Sequence, residues 1–317
     1  DGTELAVLAA GDPASPTLVF AHGFSLDLTT WHYQWTALAE RFRCVLFDFR
    51  SHGRSAAAAD GDLSIAAMAH DLAAVLEATV PAGRRVVVVG HSMGAMTMLA
   101  MAESRPDALA SRVGGMVLTG AASSNLFRGA MGSVTRVLRP RLGSVRDAAV
   151  RLNRVRQHVM ARPGDIGGLV ARITQFGPDA SPHLVDHVVR LAARAPSAVW
   201  TDGLVGLMDM DLRHAVHHVR VPALVIVGEH DRVTPPAQAV DLAGELPDGR
   251  LEMVPGAGHV PMMERHEAFN RALEGFAAEV LGVRKPRRTR NERTSTGRNA
   301  TRRTSSARNP TARKETA

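Results

Sequence analysis

The sequence predicts an α/β fold in which a mostly parallel, twisted sheet carries helices on both faces. Three observations lead there. The chain has 317 residues of which 45% are hydrophobic, enough to bury one large core. Short apolar runs recur at Leu18 to Ala21, Cys44 to Phe47, Val86 to Val89 and Ala223 to Val227, as expected of buried strands, and Leu251 to Val254 reads as a last strand. Helical patterns separate them, and strands alternating with helices argue for crossovers in a parallel sheet. No run approaches the ~20 apolar residues needed to span a bilayer.

Taken in order, Leu18-Val19-Phe20-Ala21 reads as a strand that delivers His22-Gly23-Phe24 in the loop behind it. Cys44-Val45-Leu46-Phe47 reads as a buried strand ended by Asp48, which holds the Arg50 to Ser55 turn. Cys44 is the only cysteine, so no internal disulfide forms and the redox compartment stays open. Val86 to Val89 is a further buried strand and Ala95 to Glu103 a helix, with Gly90-His91-Ser92-Met93-Gly94 between them. A serine that attacks a carbonyl must stand clear of the backbone at the tip of a sheet. A sharp strand-to-helix turn with small neighbours achieves this, which makes Ser92 the candidate nucleophile.

The Ala223 to Val227 strand ends in Gly228-Glu229-His230-Asp231-Arg232-Val233-Thr234-Pro235, and Asp231 is the candidate acid. Leu251-Glu252-Met253-Val254 leads into Pro255-Gly256-Ala257-Gly258-His259, and His259 is the candidate base. Two backbone N–H groups are needed for the oxyanion. Met93, directly after the nucleophile, and Phe24, in the early loop, are the candidates. His22 should brace that loop, His91 should join the hydrogen bonding of the turn, and Glu264 could support the His259 loop. Of 13 aromatic residues, eight fall between Phe20 and Phe49. Trp31 from that group, with Met262 and Met263 beside the histidine loop, is expected to line an apolar substrate pocket. His214 and His218 share a helix face, yet no third ligand follows in an interpretable position, so no metal site is assigned.

Together, His22-Gly23-Phe24, Asp48-Phe49-Arg50-Ser51-His52-Gly53-Arg54-Ser55, Gly90 to Gly94 and the loops of Asp231 and His259 resemble the α/β-hydrolase superfamily over roughly residues 1–280. The nearest resemblance is to bacterial serine esterases, lipase-like hydrolases and cofactor-free perhydrolases. The chain order Ser92, Asp231, His259 is the order of that superfamily. The resemblance implies an α/β-hydrolase fold with a helical cap insert. It also implies hydrolysis of carboxylic esters through an acyl-enzyme on Ser92, with no metal or organic cofactor. Two positions depart from the pattern. Ala95 stands where many relatives have a second glycine, and Ser51 replaces the glycine of Arg-Gly-His-Gly, which bears on local packing and pocket shape. The motifs do not choose the substrate, so thioesterase, perhydrolase or lyase chemistry on the same three residues stays open. A non-catalytic ligand-binding or nucleic-acid-binding protein is the alternative of another class.

Residues 122–195 interrupt the core of residues 1–121 and 196–283 and read as the helical cap, with helical patterns at Val145 to Leu152 and Leu184 to Leu191. Charge divides along the same lines. Residues 128–194 hold 12 Arg against four Asp and no Glu, and residues 284–317 hold 12 Arg or Lys against two Glu, so insert and tail carry the chain's net charge of +7. The arginines of the insert suit an anionic or lipid-like small-molecule ester, or form a solvated helix face. The tail of 284–317 reads as disordered. It is either an appendage without catalytic role or an arm for nucleic acid or an anionic surface. No obligatory protein partner is expected. A cytoplasmic location is favoured, with export open because the chain starts at Asp1.

Overall fold

The computed structural model describes residues 1–124, 166–208 and 210–283. The expected helix Val145 to Leu152 and the basic tail of 284–317 lie outside them. Seven strands, β1 (Val7–Ala10), β2 (Thr17–Ala21), β3 (Arg43–Phe47), β4 (Val86–His91), β5 (Val113–Thr119), β6 (Ala223–Gly228) and β7 (Gly249–Val254), form one sheet. Their order is β1-β3-β2-β4-β5-β6-β7. Only β1 runs antiparallel, pairing Val7 with Phe47 through Ala10 with Cys44; the other neighbours are parallel.

Four of the stretches read from the sequence are the inner strands β2, β3, β4 and β6, whereas Leu251 to Val254 falls in the largely exposed edge strand β7 and the inner strand β5 matches none of them. Every residue of β2, β4 and β6 is buried, because a parallel sheet covered on both faces hides both sides of its strands. The two faces then alternate residue by residue. Val19, Ala21, Val86 and Val88 enter one core, whereas Leu18, Phe20, Val87 and Val89 enter the other.

The first core is closed by α2 (Ile65–Thr79) and α3 (Met93–Ser104) through Met68, Leu72, Leu76, Met96 and Leu99. Helix α2 starts where Ser64 accepts the N–H of Ala67 at 3.2 Å, the usual device for freeing a helix start from unpaired donors. The second core is closed by α1 (His32–Leu38) and the C-terminal helix His266–Val280 through Leu38, Phe269, Leu273 and Phe276. Trp31, expected to reach a substrate pocket, instead lies fully buried in this second core, with Phe20 and Phe269 as ring neighbours at 5.2 and 6.2 Å. Met262 is fully buried there as well. Large apolar side chains next to a chain-crossing loop are drawn under the helices that cover them, and that outcome corrects both assignments.

Topology also says where a ligand belongs. From β2 the chain steps outward to β3, then returns across β2 to place β4 on the other side. This reversal opens a crevice beyond the C-terminal ends of β2 and β4, where open parallel sheets bind ligands. The helices Ile166–Gln175 and Pro182–Arg194 follow between β5 and β6, the latter containing the expected Leu184 to Leu191 pattern. Among the described residues no helix is long and apolar enough to cross a membrane.

Candidate active site

Ser92 stands between the last residue of β4 and the first of α3, with φ of 48° and ψ of −114°. A non-glycine residue at positive φ is strained by on the order of 1–3 kcal/mol and persists only where its surroundings impose it. Here they do: Ser92 N–H donates to Thr119 O of β5 at 2.8 Å, and Ser92 O accepts Met96 N–H at 3.0 Å. The turn lifts the side chain off the tip of the sheet. Met93 N–H, at the helix start, and Phe24 N–H, behind β2, donate to no carbonyl among the described residues.

Two strands further on, the loop after β6 folds around its own carboxylate. Asp231 Oδ1 accepts the N–H groups of Val233 and Thr234 at 2.8 and 2.9 Å, and Oδ2 accepts Thr234 Oγ1–H at 2.8 Å. His259 Nδ1–H donates to the same Oδ2 at 2.8 Å. Burial pushes the Asp231 carboxyl upward, but the His259 charge and these hydrogen bonds outweigh it, so its pKa lies below the ordinary value. In the neutral tautomer that donates Nδ1–H to Asp231, the lone pair is on Nε2.

The imidazole is carried back over the sheet by its loop. His259 O accepts His91 Nε2–H at 2.9 Å, and the two rings lie 4.9 Å apart. His91 is fully buried and held neutral, its pKa lowered to about 3 by desolvation first and by the neighbouring His259. Gly120, next to the Thr119 carbonyl that holds Ser92, sits under the ring. Ser92, Asp231 and His259 thus come from separate strand ends to one rim of the sheet.

The flanking residues are arranged as follows. His22 donates from Nδ1 to Gly23 O at 2.8 Å and accepts Phe49 N–H at Nε2 at 3.1 Å. Burial lowers its pKa to about 4, so its 4.0 Å approach to Asp48 is not an ion pair at neutral pH. Asp48 accepts Leu28 N–H at 2.7 Å and Arg54 N–H at 2.8 Å, joining the turn after β3 to the Phe24 loop. Met263 lines a surface cavity with Tyr33 and Leu184, and none of Ser92, Asp231 and His259 lines it. Phe24 packs edge-on against Trp200 at 5.1 Å. His214 is the second residue of the short helix Arg213–Val216, and His217 caps its end with His218 next in the chain. Among the described residues no group of His, Cys, Asp and Glu could hold a metal ion.

Sequence reasoning passed over Thr234, Gly120 and Trp200. Thr234 was legible in principle, since an aspartate followed by a threonine three residues later is the signature of a side chain that bonds its own turn. Gly120 and Trp200 owe their roles to long-range packing, for which the local sequence carries no signal.

The family model described as "Alpha/beta hydrolase family" matches residues 18–272. The chain belongs to this family. The hydrolase is similar to a protein of Caulobacter sp. (strain K31) provisionally named carbamate hydrolase RutD, 28% identical over 84% of this chain and 92% of the relative. It is 26% identical to the pimeloyl-[acyl-carrier protein] methyl ester esterase of Aeromonas hydrophila subsp. hydrophila, over 82% of this chain and 95% of the relative. Among solved structures it resembles a thermophilic esterase from Thermogutta terrifontis, with a TM-score of 0.71 and 24% identity over 88% of this chain and 94% of that one.

Proposed function

We propose that the hydrolase cleaves carboxylic esters with an apolar acyl group through an acyl-enzyme on Ser92. The observation that carries this reading is the strained serine at the tip of β4, bonded to Thr119, next to which Gly120 lies against an imidazole oriented by Asp231 at 2.8 Å. In this reading Ser92 Oγ attacks the carbonyl carbon and its proton passes to His259 Nε2. Asp231 keeps the imidazole in the required tautomer and stabilises its positive charge. The N–H groups of Phe24 and Met93 receive the oxyanion. His259 then protonates the departing alcohol, and a water deprotonated by His259 releases the acid. The aromatic contact of Phe24 and Trp200 supports an apolar acyl group.

A second reading, carbamate hydrolysis, is favoured by the name of the Caulobacter relative. The same groups would serve it, with a carbamoyl carbon in place of the acyl carbon. A panel of p-nitrophenyl esters of increasing chain length, with an N-substituted carbamate beside them, separates the two. We expect ester turnover to dominate, Ser92→Ala to lower it by at least ~10³-fold, and a fluorophosphonate to label Ser92. Ester turnover that survives in Ser92→Ala would sink the serine mechanism, and turnover of the carbamate alone would favour the second reading.

A further inference from the structure

Glu264 ends the short helix Pro261–Glu264 and reaches back over the loop of His259. Its Oε1 accepts Gly258 N–H at 2.8 Å and its Oε2 accepts Gly177 N–H at 2.7 Å. Gly177 belongs to a strap, residues 175–177, that leaves the helix Ile166–Gln175. The catalytic loops hold this strap by other contacts too. His259 N–H donates to Gln175 O at 2.7 Å. Arg232, the neighbour of Asp231, donates from Nη1 to Ile173 O at 2.9 Å. The last carbonyls of a helix have no partner within it. In this helix two of them, Ile173 O and Gln175 O, are met by the loops that carry Asp231 and His259.

Strap and loop approach as closely as backbones can. A side chain on Gly177 would run into the carbonyl of Gly256, and a Cβ on Gly258 would stand 2.5 Å from the carbonyl oxygen of Gln175. Two N–H groups converge on one side chain at this contact, and only a carboxylate accepts both without donating. Burial pushes the Glu264 carboxyl above its ordinary value, while the hydrogen bonds from Gly177 and Gly258 work against the rise.

We propose that Glu264 is a positioning residue, clamping the strap to the His259 loop so that the seating of the helices of 166–195 sets the aim of the imidazole. The inference rests on the reading of His259 as the general base. Gly258 directly precedes His259, so releasing its amide loosens the peptide that orients the ring. Asp231 fixes one end of the imidazole and the strap fixes its backbone end.

The test measures kcat and KM on p-nitrophenyl butyrate for the parent, Ser92→Ala, Glu264→Gln and Glu264→Ala, with a thermal melt of each. Glutamine keeps the size and one acceptor but turns an NH2 toward the other amide. A misplacement of about 1 Å can cost about 10²-fold, so kcat should fall about tenfold in Glu264→Gln and about 10²-fold in Glu264→Ala, with KM changing little. The downfield proton NMR line of Nδ1–H, shared by His259 and Asp231, should shift or broaden in both. A folded Glu264→Gln variant with parental kcat and an unmoved line overturns the inference. So does a Glu264→Gln variant unfolded at the assay temperature, which would give Glu264 a purely structural role. Should Glu264→Ala not fold, the glutamine variant decides alone. Activity surviving in Ser92→Ala would overturn the ester-hydrolase reading instead, which keeps the two failures apart.

Discussion

At the scale of single residues, positive φ is used in two different ways. Gly120 has φ of +59°, and a Cβ there would stand 2.9 Å from Cε1 and 3.1 Å from Nδ1 of His259. Either the imidazole or the loop would have to move. Gly120→Ala is therefore expected to lower kcat about 10²-fold through a displaced ring, and to cost on the order of 1 kcal/mol of stability through the strained φ. Steady-state kinetics and urea unfolding on one preparation measure the two effects separately, and a parental kcat would mean that the ring is not held where Gly120 puts it. Ser51 also has positive φ, at 59°, but bears a side chain. Its Oγ accepts Ala58 N–H at 3.0 Å and its own N–H donates to Ala56 O at 2.8 Å. The serine that departs from the glycine of the family pattern is tolerated because its side chain meets a donor and not another ring.

At the scale of elements, the turn after β3 is locked to α2 by one buried guanidinium. Arg50 donates from Nε and Nη2 to both oxygens of Asp71 at 2.7 Å, and from Nη1 to Asp62 O at 3.2 Å. Asp71→Ala would leave that charge buried with Asp1 at 2.8 Å and Asp60 at 3.6 Å as its remaining acids. A loss of about 3 kcal/mol is expected, with most of it recovered when Arg50→Met is added, because the unpaired charge is what costs. Urea midpoints with unchanged m-values measure both, and an unaffected single variant would contradict the buried pairing. The same elements show what was legible in the sequence. The inner strands β2, β3, β4 and β6 could be read because burial on both faces leaves nearly unbroken apolar runs, whereas the inner strand β5 was missed because Gly114 and Gly115 interrupt its run. Strand β1 could not, since its four residues form an exposed edge without apolar contrast. The motifs located Ser92, Asp231 and His259 at the ends of β4, β6 and β7, where loops need special residues. Trp31 was misread because an aromatic after a loop looks the same whether it turns toward a pocket or under a helix.

At the scale of the whole molecule, three imidazoles are buried in the uncharged form around one rim. Desolvation is the first cause in each case and lowers His22 to about 4 and both His52 and His91 to about 3, from 6.5. Between those values and 6.5 the unfolded chain binds protons that the folded chain refuses. Stability from these groups is thus fully present above pH 6.5 and is lost as pH falls toward 3, by on the order of 1 kcal/mol per pH unit for each histidine. Asp48 and Glu264 act in the opposite sense, because burial raises their carboxyls and the folded state takes up their protons first. Asp231, held below its ordinary value, and the likewise lowered Asp62, Asp211 and Glu279 act in the same sense as the histidines, so acidification brings a net loss. His52 offers the cleanest test, since its Nδ1–H donates to Arg50 O at 2.9 Å and an asparagine amide can keep that bond without titrating. The urea midpoint of the parent should fall between pH 7 and pH 5, and that of His52→Asn should fall less. Equal falls in the two proteins would mean that His52 takes up a proton in the folded state as readily as in the unfolded one, and that its ring is not shielded from water.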